Sequence, residues 1–232
     1  MMVAAVVCPH PPLLFRELSG AQDAVPELRA ACRVAIVSAL TPTPDVVVVV
    51  GGADEAREWE ASLPVDVRRF GTSTAPQVSG SDGSLPLSLG VGKRLLEEAG
   101  WGGYVQFHSL PWDADAASVT EAARAVGKVE GRAVLLVLGD GSTHRGEKAP
   151  GYFDDRAFAY DDEIRRALAE GDAEALTRLD PALAEELGVQ GRAAFGVLGE
   201  VVAGQGGRPR AQVSYRDDPF GVEYTVALWD LS

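Results

Sequence analysis

Histidine is the side chain whose ordinary pKa lies closest to neutral pH, so it marks where proton or metal chemistry can be placed. This 232-residue chain has three, His10, His108 and His144. His10 stands in "VVCPHPPLLF" (residues 6–15), held between Pro9 and Pro11 with Pro12 behind. Each proline fixes φ at about −65° and has no N–H to give a sheet ladder, so an apolar strand must stop there. A histidine on so restricted a backbone has little freedom left to lose, which suits a divalent-metal ligand or an acid–base group. The alternative is a turn histidine whose ring bonds a backbone carbonyl.

His144 lies in "GDGSTHRG" (residues 139–146), with Asp140 four positions before it. A carboxylate beside an imidazole fixes its tautomer and raises its basicity, as general acid–base work requires. Gly139 and Gly141 leave room for a ligand, which favours that role over the alternative that Asp140 or Ser142 caps a turn. Asp54 and Glu55, in "GGADEARE", stand where a helix is expected to start after Gly51-Gly52, and acids in that place usually serve as caps. His108 follows a strand expected to end at Phe107 and has no partner pattern, which reads as a surface or hinge histidine. Glu223 opens the last expected strand. Cys8 and His10 share one side of an extended strand, but a cysteine beside proline is more often inert than nucleophilic.

The elements that position these residues alternate. Residues 2–8 are a strand by composition, and 23–40 carry Val25, Leu28, Cys32, Ile36 and Leu40 near helical spacing. "VVVVV" at 46–50 has no polar alternation, the mark of a strand buried on both faces of a parallel sheet, and Gly51-Gly52 is expected to end it. Residues 71–84, "GTSTAPQVSGSDGS", read as a long polar surface loop. A helix over 85–99, a strand over 104–107, a helix over 115–126 and a buried strand over 133–138 follow. Residues 156–203 are helical, broken at Gly171, Pro181 and Gly188, and strands at 211–215 and 223–229 flank "RDDPFG". This alternation predicts an α/β fold: one three-layer domain with a central mixed, largely parallel sheet flanked by helices. In such sheets ligands sit beyond the carboxyl ends of the strands, where His10, Asp54 and Asp140 with His144 would converge.

The bulk numbers narrow the partners. A formal charge of −13 and a pI near 4.6 argue against nucleic acid or an anionic membrane. No stretch approaches the length of a membrane span, and the first residues lack the basic region of a secretion signal. Two cysteines are too few for a disulfide framework or a four-cysteine zinc site. The expectation is a cytoplasmic protein acting on a small molecule. No phosphate-binding loop, complete G-x-G-x-x-G, nucleophile elbow, H-E-x-x-H or C-x-x-C is present.

Taken together, "CPHPPLL", "PDVVVVVGG", "SLPLSLGVGKRLLEEAG", "LLVLGDGSTHRGEKAPGYFDDRAFAYDDEI" and "VSYRDDPFGVEYTVALW" resemble, in order and across nearly the whole chain, the catalytic B subunit of class III extradiol ring-cleavage dioxygenases and the wider superfamily that includes Memo proteins. The resemblance implies a non-haem Fe(II) held by two histidines and a carboxylate, with positions open for a catecholate and O₂. It makes His10 the first metal ligand and His144, with Asp140, the acid–base group. It also implies an aromatic diol as substrate and a possible homo-oligomer. The segment before His144 is one residue off the family's D-x-S-H spacing. The family's second histidine comes after its second strand, where this chain reads Gly51-Gly52-Ala53-Asp54-Glu55. Asp54 would stand in as an oxygen ligand and Glu223 as the C-terminal carboxylate. Such a set suits Fe(II)/O₂ chemistry less well than the usual triad, and would instead hold zinc, manganese or no metal. Two alternatives remain: a binding protein that keeps the fold without catalysis, and a zinc-dependent hydrolase.

Overall fold

Why the valine run is buried on both faces is plain in the computed structural model, which describes residues 1–19, 22–67 and 83–232. Strand β2 (Val46–Ala53) lies inside a seven-stranded sheet with β4 (Tyr104–Pro111) on one side and β5 (Ala133–Leu138) on the other, both parallel to it. Strand β1 (Met2–Cys8) continues the parallel core beyond β5. Antiparallel strands complete the sheet: β3 (Arg57–Trp59) outside β4, then β7 (Tyr224–Asp230) and β6 (Arg210–Asp217) outside β1. The order is β3-β4-β2-β5-β1-β7-β6, and the fold is α/β with a mixed, largely parallel sheet.

Successive side chains of each strand feed two separate cores, as the period of two demands. Val46, Val48 and Val50, with Leu135 and Val137, point to one face, where α3 (Ala116–Gly127), α4 (Arg156–Glu170), α5 (Ala173–Thr177), α6 (Pro181–Glu186) and α7 (Arg192–Gln205) gather. Val47 and Val49, with Leu136 and Leu138, point to the other, under α1 (Pro26–Leu40) and α2 (Leu87–Glu98). These are the three layers. Among the described residues no helix is long and apolar enough to cross a membrane.

Three local expectations change. Gly51 and Gly52 do not end β2: they pair with Ser109 and Leu110, and the strand runs to Ala53. They are glycines because neighbours press on them, a Cβ at Gly51 falling 2.5 Å from Ser88 Oγ and one at Gly52 falling 2.0 Å from Trp112 Cε3. No helix starts at Asp54 or Glu55; the chain bends there and returns as β3, antiparallel to β4. And β4 runs on to Pro111, so His108 sits within it, paired between Val50 and Glu58. Burial lowers its pKa. The polar stretch 71–84 lies outside the described residues up to 82.

Candidate functional site

The four parallel strands end on one rim, and residues just past three of them, β1, β4 and β5, build the site. After β1, Pro9 closes the strand and His10 turns inward, 1% exposed. After β5, Gly139 still donates to the Cys8 carbonyl (3.0 Å), and Asp140 then accepts the His10 backbone N–H on Oδ1 at 2.7 Å. His10 is thereby fixed by its own main chain to the next strand's carboxylate. Its Nδ1 lies 3.4 Å from the same Oδ1, too poorly placed for a hydrogen bond, and both ring nitrogens are buried without a partner. Burial raises the Asp140 pKa, and the His10 ring and backbone N–H oppose that rise. After β4, Trp112 stacks on the His10 ring, centroids 5.6 Å apart and planes 17° from parallel.

His144 is held differently from the expectation that Asp140 orients it. Its Nδ1 lies 2.8 Å from the Leu187 carbonyl oxygen. A carbonyl can only accept, so Nδ1 carries a proton, and in the neutral ring the lone pair is on Nε2. The ring lies so close to Gly151 that a Cβ there would sit 2.1 Å from Cε1. Asp140 serves His10 instead.

Glu223 does reach this end of the sheet: its N–H donates to the Ser142 carbonyl at 3.0 Å, and Gly141 N–H donates to its own carbonyl at 2.9 Å. Its carboxylate, however, is engaged by Arg216 Nε at 2.8 Å and Arg145 Nε at 3.2 Å. Burial raises its pKa and the two guanidinium groups work against the rise. Asp54 is exposed in the bend beyond β2. Among the described residues no three His, Cys, Asp or Glu side chains gather closely enough to hold a metal ion. The set His10, Asp54 and Glu223 is therefore not assembled, and these donors do not fit the metal triad that the family resemblance implies.

Three groups escaped the reading of the sequence. Trp112 stacks on His10, and nothing marked it because the strand was expected to end at Phe107, five residues before it. Asp161, on α4 and 1% exposed, accepts from Ser142 N–H at 2.8 Å and Ser142 Oγ at 2.5 Å. Arg145 donates to Asp161 at 3.2 Å and to Asp218 at 2.6 Å, and its guanidinium lies over the Phe158 ring. This network pins the loop that carries Asp140 and His144 to α4 and to the β6–β7 turn.

No family model and no curated protein matches the chain. Among solved structures, the uncharacterized protein JW3007 from Escherichia coli K12 is similar over 98% of this chain and 99% of its own, with a TM-score of 0.54 and 16% identity. At that identity the likeness shows the fold alone.

Proposed function

We propose that this chain is an extradiol-dioxygenase-like protein with an incomplete metal site, which binds a small aromatic diol or a related hydroxylated molecule at His10 and Asp140 and moves a proton there. The carrying observation is a fully buried imidazole with two unpartnered nitrogens beside a buried carboxylate at the strand rim. Buried polar groups are almost always paired, and a ligand's hydroxyls supply what the protein does not. A hydroxyl donates to a free His10 nitrogen; as the proton passes to the ring, the Asp140 carboxylate stabilises the imidazolium across 3.4 Å of low-dielectric interior. Because the donors do not fit the implied iron, zinc or manganese, no step runs through a metal. The hydrolase alternative lacks a third protein ligand among the described residues.

Calorimetric titration with catechol, phenol and cyclohexane-1,2-diol, before and after adding Fe(II) or Zn(II), tests this reading. Wild-type protein should bind catechol without metal, and His10→Ala should not. Equal binding by both proteins, or binding only after metal loading, overturns it.

A further inference from the structure

The Trp112 indole stacks on the buried His10 ring, and two features of its surroundings stand out. The indole also lies against Gly52, where any side chain would begin 2.0 Å from its six-membered ring. The bare glycine and the flat imidazole thus line a slot that admits a planar ring. Trp112 itself is half-buried. Beside it opens an apolar recess of about 150 Å³, lined by Trp112, Pro181, Ala184, Glu185, Gly188 and Val189 among others. A cavity of about 150 Å³ takes a benzene-sized ring, so the recess can receive most of a displaced indole.

We infer that the Trp112 indole is a placeholder, occupying the slot where a ligand's planar ring stacks on His10 and swinging into the recess beside Ala184 when the ligand enters. This rests on the reading of His10 and Asp140 as the ligand's polar anchors. It adds that the ligand is planar, that it competes with Trp112, and that Trp112 sets access and selectivity. Whatever stabilises the indole in the slot weakens apparent affinity by the fraction of molecules left open.

The test reads His10 without needing the ligand. Diethyl pyrocarbonate modification is mapped by mass spectrometry at His10, with His144 as internal reference, in wild type, Trp112→Ala and Ala184→Leu, each checked by thermal unfolding. Trp112→Ala should speed His10 modification by about tenfold or more, because the covered state is gone. Ala184→Leu, which fills the recess, should slow it below wild type. Should Ala184→Leu unfold, Glu185→Phe fills the same recess from its exposed edge. If Trp112→Ala leaves the His10 rate unchanged, or a folded recess-filling variant does, the placeholder is overturned. Catechol affinity is then measured in Trp112→Ala, where it should rise; a fall would make Trp112 a wall of the site and overturn the inference. An opened His10 that binds neither catechol nor phenol would instead leave the swing intact and sink the diol reading.

Discussion

Consider replacing His10 by leucine, which is close to it in volume. A neutral imidazole carries one donor and one acceptor, and both are buried unpaired here. Each unsatisfied group costs roughly 1–3 kcal/mol of desolvation. Leucine removes both costs and keeps the backbone N–H that Asp140 accepts at 2.7 Å. Against this stands the ring stacking on Trp112, worth about 0.5–1.5 kcal/mol. Asp140 also loses a favourable neighbour in the His10 ring. The balance favours the variant by about 1 kcal/mol or more, which is roughly 2–4 °C or more in Tm for a chain of this size. Urea and thermal unfolding near pH 7 measure it, with catechol binding followed in parallel. The expected result is a more stable protein that no longer binds, the pattern of a site that gives up stability for function. A variant destabilised by about 1 kcal/mol or more would show that the imidazole is satisfied in the folded chain, and the reasoning about its empty valences would fail.

Other consequences come from the same geometry. Asp140 holds its proton more tightly folded than unfolded, so its contribution to stability is full below its ordinary pKa of 3.8 and is lost as pH rises through the raised value. Asp140→Asn should therefore flatten the fall in stability with rising pH above about 4; an unchanged profile would contradict this. Asp161→Ala removes a buried partner of Ser142 and Arg145 and should cost about 3 kcal/mol in urea unfolding, and a loss under about 1 kcal/mol would mean the network holds without it. In neutral form His144 should show the Nδ1–H tautomer by ¹⁵N NMR, since its partner is the Leu187 carbonyl; the Nε2–H form would contradict that.

What the sequence disclosed and what it hid have physical reasons. Strands buried on both faces carry unbroken apolar runs, so β1, β2 and β5 were legible, and the parallel core could be inferred from the helices between them. The short β3 was not: "REW" has no run to mark it, and it exists because β4 offers an edge. Gly51-Gly52 read as a stop because glycine usually breaks a strand, whereas here it yields to Ser88 and Trp112. His10 and Asp140 were found because prolines and glycines punctuate strand ends. Their partnership was not, since residues 130 positions apart meet only through the register of β1 on β5. Nothing separates buried Asp161 from exposed Asp162 in "YDDEI" until α4 is docked on the sheet. Glu223 was placed at the right end of the sheet, but its two arginines lie seven residues before it and 78 before it in sequence, and no local pattern signals them.

The central claim is that the buried His10 ring is what the ligand meets. The most direct measurement is the ¹⁵N spectrum of the His10 imidazole while catechol is titrated into metal-free protein. A His10 nitrogen should shift toward a hydrogen-bonded or protonated value, saturating with the binding isotherm, and the shift should be lost in Asp140→Asn. Saturating catechol that leaves the His10 nitrogens where they were would contradict the claim.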